Sequence, residues 1–197
     1  MSRPVGYVLA GGRSSRFGAD KARAVVGGLP LVARVALRIS PRVDGVTVVA
    51  DRADKFADLG LRTIADPIPG LGPIGGLLGA LEDAPRGPVF VVSCDFVAFE
   101  PRWIDRLRAA WRSGDSAVAF RTPRGWEPTF ALWSPALVPA VREAIDRGER
   151  ALRRLLDRCA GRAVPPPRDW DRAVQVNTRR ALSAWLDRTG AGPGAFL

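Results

Sequence analysis

Apolar residues occur along this chain in short runs that alternate with polar and glycine-rich stretches. Five runs are rich in β-branched residues, which is typical of strands buried inside a sheet. These predicted strands cover residues 5–10, 46–50, 62–65, 89–93 and 117–120. Patterns with a helical period lie between them, at residues 31–40, 74–83 and 102–111. The alternation predicts an α/β fold, a Rossmann-like three-layer sandwich with a mostly parallel central sheet and helices on both faces.

The second half of the chain continues with a different mixture of elements. The pattern predicts a strand at 126–133, helices at 137–146 and 151–157, a short strand at 174–176 and a last helix at about 180–187. With 197 residues, 47% of them hydrophobic, the chain has the size of one compact domain. We expect a single domain over residues 1–189 and a flexible, glycine-rich tail over residues 190–197.

Polar residues and glycines directly follow four of the predicted strands. They are the glycine-rich segment 11–21, Asp51, Asp66 and Asp95. In open α/β sheets, ligands bind outside the carboxyl ends of the strands, near the point where the strand order reverses. This rule selects the four features as candidates for a ligand site.

The glycine-rich segment after the first strand is suited to a triphosphate. Its glycines allow backbone N–H groups to close around an anion, while Arg16 and Lys21 neutralise the charge. Only two of the 30 basic residues are lysines, so a lysine at the end of this segment indicates a need for a compact ammonium. The segment lacks the spacing of the P-loop and of the dinucleotide-binding fingerprint. A surface turn rich in arginine and glycine is the alternative interpretation.

Asp66 begins a rigid connection to the second predicted helix. Residues 66–73 contain three prolines and two glycines, and Pro73 is expected to be the first helical residue. A flat base fits along such a backbone, and a carboxylate accepts hydrogen bonds from the N1–H and N2–H₂ donors of guanine. In the alternative interpretation, the prolines and glycines only shape the connection.

Asp95 follows the most apolar strand of the chain and is expected to face the crevice at the end of that strand. A carboxylate in this position suits Mg²⁺, which takes one or two carboxylates together with substrate phosphates and water. Asn177, after a late strand, is a candidate for a second oxygen ligand. A helix cap or a turn is the alternative role for both residues.

Composition excludes several classes of chemistry. The chain has no histidine and its two cysteines lack the CxxC spacing, which excludes the usual zinc sites and Ser-His nucleophiles. The net charge of +10 favours anionic substrates. The arginines are scattered, however, with no basic stripe interleaved with aromatic residues, so nucleic acid is not an expected partner. Because no apolar stretch approaches membrane-spanning length and no signal peptide precedes the first strand, we expect a cytoplasmic protein without membrane contact.

Taken in chain order, four motifs resemble those of the molybdenum-cofactor guanylyltransferase family, the MobA-like nucleotidyltransferases. The motifs are Leu9-Ala10-Gly11-Gly12-x-Ser14-x-Arg16-x-Gly18-x-Asp20-Lys21, Asp66-x-x-Pro69-Gly70-x-Gly72-Pro73, Cys94-Asp95 and Val176-Asn177-Thr178. Together they span nearly the whole chain. The stretch Ala10-Gly11-Gly12 is more similar to the guanylyl branch of the family than to the cytidylyl branch.

The resemblance implies a nucleotide-diphospho-sugar-transferase-like sheet and a specific reaction. GMP would pass from GTP to the phosphate of molybdopterin in the molybdenum cofactor, with release of pyrophosphate. The GTP-binding residues it implies are Leu9, Ala10, Gly11, Gly12, Lys21, Asp51, Asp66 and Asp95. Mg²⁺ is the implied cofactor, with Asp95 and Asn177 as ligands.

Catalysis in this interpretation rests on charge stabilisation by Mg²⁺, Arg16 and Lys21, with Asp95 at the metal and no covalent intermediate. The implied partners are GTP and the molybdenum cofactor, together with molybdoenzymes or other proteins of cofactor biosynthesis.

Three places depart from the usual family pattern. Val97 stands where a proline usually follows the metal-binding aspartate, which is expected to leave that backbone less constrained. Glu127 replaces a usual histidine, and near Asn177 the residues Gln175 and Arg179 replace Asn and Pro. Two alternatives therefore stay open: a related nucleotidyltransferase that uses CTP or another phosphorylated acceptor, and a nucleotide-binding protein without catalytic activity on the same fold.

Overall fold

The computed structural model describes residues 2–11, 20–84 and 87–189. Within these ranges the strands are β1 (Val5–Leu9), β2 (Val25–Val26), β3 (Leu29–Pro30), β4 (Val46–Ala50), β5 (Thr63–Ala65), β6 (Val89–Ser93), β7 (Phe96–Ala98), β8 (Ala117–Thr122), β9 (Gly125–Trp133), β10 (Arg162–Val164) and β11 (Val174–Gln175). The α-helices are α1 (Leu31–Ile39), α2 (Pro73–Asp83), α3 (Arg102–Ala110), α4 (Val138–Asp146), α5 (Leu152–Arg158) and α6 (Arg179–Thr189). The predicted tail, residues 190–197, lies outside the described residues.

Seven of these strands form the central sheet, in the spatial order β10-β8-β9-β6-β1-β4-β5. The pairs β1·β4, β1·β6, β4·β5 and β8·β10 are parallel, whereas β9 runs antiparallel to both of its neighbours. The chain builds outward from β1 to β4 and β5, and then returns with β6 to the other side of β1. The strand order therefore reverses between β1 and β6, which is where such folds bind ligands.

Two apolar clusters cover the two faces of the sheet. Side chains alternate along each strand, so Val8 of β1 packs on the side of α1 and α3, while Tyr7 packs on the side of α2, α4 and α5. Trp103 and Trp133, two of the largest fully buried side chains, belong to opposite clusters. This arrangement confirms the predicted three-layer α/β fold. None of the helices that the structure describes is long and apolar enough to cross a membrane.

A hairpin between the first strand and the first helix was not among the predicted elements. β2 and β3 pair antiparallel around Gly27 and Gly28, whose φ angles are +58° and +79°. Two consecutive positive φ angles are the requirement of a type I′ turn, and a Gly-Gly pair between apolar residues is a known signal for it. The hairpin places residues 21–24 next to the start of α1, because Leu31 N–H donates to Ala24 O at 2.9 Å.

β7 and β11 form a small antiparallel sheet directly after Asp95. Phe96 pairs with Gln175 and Ala98 with Val174, while the Val97 side chain between them is fully buried. Strand pairing thus holds the backbone after Asp95 in place of a proline ring. Whether Val97 leaves this backbone less constrained than a proline would stays a prediction.

Candidate functional site

The carboxyl ends of β1, β4, β5 and β6 meet at one edge of the sheet. Leu9 pairs with both Val49 and Ser93, and Ala50 pairs with Ala65. Backbone hydrogen bonds continue this alignment one residue further, from Ala10 N–H to Val49 O, Cys94 N–H to Leu9 O and Asp66 N–H to Ala50 O. The predicted site residues that follow these strands therefore lie side by side along this edge.

Lys21 and Asp95 form an ion pair at the point where the strand order reverses. Lys21 Nζ donates to Asp95 Oδ2 at 2.8 Å, and the two side chains are only 18% and 12% exposed. Lys21 opens a single 3₁₀ turn, Lys21–Arg23, which Asp20 caps by accepting the Ala22 N–H at 3.1 Å. A fixed cation thus lies against a fixed carboxylate, the combination needed to hold phosphate on one side and a metal ion on the other.

Asp66 is buried between the start of α2 and the end of β1. Its Oδ1 accepts the Ile68 N–H at 2.9 Å, and a Cβ built on Gly75 would lie only 2.7 Å from that oxygen. Oδ2 lies on the side of Gly11, where a Cβ would be 3.7 Å away. Burial raises the pKa of Asp66, although the hydrogen bond from Ile68 opposes the shift. No described cation pairs with this carboxylate, so its acceptor capacity is available to a ligand.

Leu9 and Ala10 have a more limited role at the edge. Both side chains are buried, and Leu9 packs against Gly76 of α2, where a Cβ would lie 3.2 Å from Leu9 Cδ2. Their side chains therefore belong to the core, and only their backbone borders the site. Gly12 and Arg16 lie outside the described residues, so their predicted roles stay predictions.

Asp51 does not reach the Lys21–Asp95 pair. Its side chain is 56% exposed and pairs with Lys55, with Nζ to Oδ1 at 2.6 Å. The hydrogen bond from Lys55 lowers the pKa of Asp51. Lys55 Nζ also lies 2.9 Å from Asp20 Oδ2.

Sequence reasoning missed Lys55, although the signal was present in the composition. Lys55 is the second of only two lysines, and the argument that singled out Lys21 applies to it equally. Both lysines of the chain thus lie at the same edge of the sheet, and their carboxylate partners include Asp20, Asp51 and Asp95.

Asn177 lies close to Asp95 along the backbone rather than through its side chain. The Val176 N–H donates to the backbone oxygen of Asp95 at 3.0 Å, and Asn177 follows with an exposed side chain. Within the described ranges, no group of three or more acidic, histidine or cysteine side chains is arranged to hold a metal ion. A metal at Asp95 would therefore take most of its ligands from substrate and water.

A cleft of about 690 Å³ opens beside β7 and β11, adjoining Asp95 through its neighbour Phe96. Its lining residues include Phe96, Arg124, Glu127, Trp170 and Asn177. Burial raises the pKa of Glu127, while Arg153 and Arg124 act in the opposite direction. Phe96 itself is fully buried, so Trp170 supplies the accessible ring. A partly exposed aromatic ring, an arginine and a carboxylate without a described hydrogen-bond partner are suited to a flat molecule that carries both an anionic group and N–H donors.

The mostly parallel sheet places a lysine and an aspartate at its switch point, the position at which α/β proteins bind their ligands. The MobA-like NTP transferase domain model matches residues 6–163. A molybdenum cofactor guanylyltransferase from Serratia proteamaculans is 32% identical over 190 residues, covering 94% of this chain and 95% of the relative. The chain belongs to the family of MobA-like NTP transferase domains, and the resemblance seen in the sequence is confirmed.

A further relative agrees with this membership, and a solved structure agrees with the fold. A probable molybdenum cofactor guanylyltransferase from Thermococcus gammatolerans is 34% identical over 188 residues, covering 90% of this chain and 96% of the relative. The crystal structure of molybdopterin-guanine dinucleotide biosynthesis protein A from Archaeoglobus fulgidus superposes with a TM-score of 0.80 at 21% identity, covering 94% of this chain and 98% of that one. This structural likeness confirms the fold. The protein is a nucleotidyltransferase, and enzymes of this kind typically use a divalent metal.

Proposed function

We propose that the protein transfers GMP from GTP to the terminal phosphate of molybdopterin in the molybdenum cofactor and releases pyrophosphate. The observation that carries the proposal is the Lys21–Asp95 pair at the switch point, with buried Asp66 on the same edge of the sheet. In this reaction an acceptor phosphate oxygen attacks the α-phosphorus of GTP, and the bond to the β-phosphate breaks. The protein acts by alignment and charge stabilisation.

The phosphate chain of GTP lies, in this proposal, over the end of β1. Lys21 supplies the ammonium, and Leu9, Ala10 and Gly11 border the nucleotide through their backbone. Gly12 and Arg16 complete this half of the site, with Arg16 as a second catalytic cation. The small exposure of Lys21 supports the proposal, because a partly desolvated ammonium binds phosphate more strongly than an exposed one.

Guanine lies in this proposal against Asp66, and Asp51 contacts the nucleoside from the end of β4. The close approach of the Asp66 carboxylate to Gly75 and Gly11 supports the assignment, since these positions lack side chains that would cover it. An ionised carboxylate accepts from both N1–H and N2–H₂ of guanine, whereas N1 of adenine is itself an acceptor.

GTP is therefore expected to bind more tightly than ATP by about 1–3 kcal/mol. Calorimetry of the full chain with both nucleotides measures this difference directly. The variant Asp66→Asn is expected to lose most of it. Asp115→Asn provides a matched control. Asp115 pairs with Arg162 beside the amino end of β8, away from the carboxyl ends of the strands that form the candidate site. Equal affinities of the wild type for GTP and ATP would contradict the guanine assignment.

The same carboxylate predicts a pH dependence. Guanine binding requires ionised Asp66, whose pKa is raised by burial in the free protein. As the pH falls through this raised pKa, the carboxyl group becomes protonated and GTP affinity decreases, at a higher pH than an exposed aspartate would allow. Asp66→Asn is expected to show no such decrease over that pH range in the same calorimetric titration.

Asp95 and Asn177 are the residues proposed to hold Mg²⁺. Their oxygen atoms suit this hard cation, and Asp95 Oδ1 makes no hydrogen bond to a described residue. A bound Mg²⁺ neutralises phosphate charge. Lys21 donates to Oδ2 of Asp95, which leaves Oδ1 for the metal ion.

The cleft beside β7 is the proposed acceptor site. The partly exposed ring of Trp170 suits the flat pterin of molybdopterin, and Arg124 suits its phosphate. Glu127 takes the place at which the family usually has histidine, and its carboxylate is able to accept hydrogen bonds from the ring N–H groups of a pterin. The cleft adjoins Asp95, as in-line transfer between the two substrates requires.

Glu127→Gln is expected to raise the KM for the molybdenum cofactor by about tenfold, because one charge-assisted hydrogen bond is lost. The Kd for GTP is expected to stay unchanged. Glu143→Gln is the matched control, since Glu143 lies on α4 with its side chain 62% exposed. An unchanged KM for the acceptor in Glu127→Gln would exclude Glu127 from this site.

A panel of nucleoside triphosphates tests the proposal against its alternatives. The largest rise in melting temperature is expected with GTP plus Mg²⁺. A larger rise with CTP would favour a cytidylyl transferase instead. Binding without turnover of any phosphorylated acceptor would favour a nucleotide-binding protein on the same fold. We further propose that the protein acts in the cytoplasm. Its proposed protein partners are molybdoenzymes or other proteins of cofactor biosynthesis.

A further inference from the structure

One ammonium group links the segment that follows β1 to the segment that follows β4. Lys55 Nζ lies 2.6 Å from Asp51 Oδ1 and 2.9 Å from Asp20 Oδ2. Asp51 belongs to the segment after β4, whereas Asp20 ends the glycine-rich segment after β1. The Lys55 side chain is 13% exposed, whereas those of Asp20 and Asp51 are 32% and 56% exposed, so the ammonium is the sheltered partner in both pairs.

Arg23 reinforces the same link. It donates to both carboxylate oxygens of Asp58 at 2.8 Å and to the backbone oxygen of Lys55 at 2.6 Å. The Arg23 guanidinium and the Lys55 ammonium lie 5.1 and 5.5 Å from the centre of the buried Phe56 ring. The turn of residues 20–23 is therefore fastened to the segment of residues 51–59 by charge and by cation–π contacts.

The link reaches Lys21 through Asp20. One oxygen of Asp20 accepts the Ala22 N–H and so caps the turn that begins at Lys21, while the other oxygen pairs with Lys55. The position of Asp20 thus fixes the start of the turn, and with it the backbone of Lys21. A compact ammonium is able to contact two carboxylates from different segments, a geometry for which the planar fork of arginine is poorly suited.

We propose that Lys55 is a positioning residue that places Lys21 for phosphate binding by holding Asp20. This inference rests on the proposed function, because it assigns Lys21 to the phosphates of the nucleotide. In this proposal Lys55 does not contact substrate, and Asp51, directly after β4, serves as its anchor. The chain uses both of its lysines in this scheme, one to bind phosphate and one to place the first.

Calorimetry with tripolyphosphate and with GTP, on the full chain without metal, tests this proposal. Lys55→Met is expected to raise both Kd values by about tenfold, as loss of a placed charged group does. In a Lys21→Met background, the same change is expected to alter either Kd by less than about twofold, because coupled residues give non-additive effects. Arg162→Met, which breaks the distant pair with Asp115, is the matched control and is expected to change neither Kd.

A second variant keeps the test valid where Lys55→Met unfolds the chain. Asp20→Asn retains the cap, since asparagine caps as well as aspartate, but removes the charge that Lys55 holds. It is expected to weaken tripolyphosphate binding in the same direction while the chain stays folded.

Three results would overturn the positioning role. Kd values unchanged in both variants would exclude any role of Lys55 in phosphate binding. Additive effects of Lys55→Met and Lys21→Met would show that Lys55 acts independently of Lys21. A wild-type chain that binds neither GTP nor tripolyphosphate would instead refute the proposed function on which the inference rests.

Discussion

Replacing Asp95 by asparagine is expected to abolish GMP transfer, lowering kcat by about 1,000-fold or more, because the carboxylate that would hold Mg²⁺ is lost. The fold is expected to be retained, since the amide is nearly isosteric and the backbone oxygen of residue 95 still accepts the Val176 N–H. The amide is also able to accept from Lys21. Pyrophosphate release, measured at saturating GTP and Mg²⁺, gives the kcat of this variant.

The Asp95→Asn variant is expected to lose catalysis but to keep its affinity for GTP. In the wild type, Lys21 is partly neutralised by Asp95 at 2.8 Å. Without that negative charge, metal-free GTP affinity is expected to stay equal to that of the wild type or to increase slightly. Asp115→Asn, the control at the opposite end of the sheet, is expected to retain both activities. Turnover by Asp95→Asn near the wild-type rate would remove Asp95 from the proposed metal site.

Replacing Lys21 by alanine is expected to raise the Kd for GTP by about 10- to 100-fold, which corresponds to the 1.5–3 kcal/mol of a charge-assisted hydrogen bond. The loss is compounded in the variant because the Asp95 carboxylate is left without its cation beside the phosphates. Lys21→Arg is also expected to be impaired, since a guanidinium does not replace a compact ammonium in a site of this size. Calorimetry with GTP measures both variants. An unchanged Kd in Lys21→Ala would exclude the phosphate assignment.

The central architecture was predictable because it depends on hydrophobic patterning. Strands β4 and β6 are confirmed residue for residue, and Pro73 does begin α2. The pattern carries no information on strand direction, however, so the antiparallel course of β9 was not predicted. Two-residue strands such as β2 and β11 are too short for a periodic signal, and their pairing depends on tertiary contacts.

The candidate site was predictable only as a set of residues at strand ends. The rule for open α/β sheets placed Asp66 and Asp95 at the correct edge, but it did not pair Lys21 with Asp95. It also gave no reason to connect Asp51 with Lys55, because an ion pair four residues apart outside a helix depends on the local turn. The rarity of lysine was the one available signal for Lys55, and it was applied only to Lys21.

The transfer reaction itself tests the central claim most directly. The full chain is incubated with GTP labelled at the α-phosphate, Mg²⁺ and purified molybdenum cofactor, and the products are separated by chromatography. We expect label in a molybdopterin guanine dinucleotide, with one equivalent of pyrophosphate released for each dinucleotide formed and no product from Asp95→Asn. Absence of labelled dinucleotide from a wild-type chain that binds GTP, or preferred incorporation of label from CTP, would contradict the guanylyltransferase assignment.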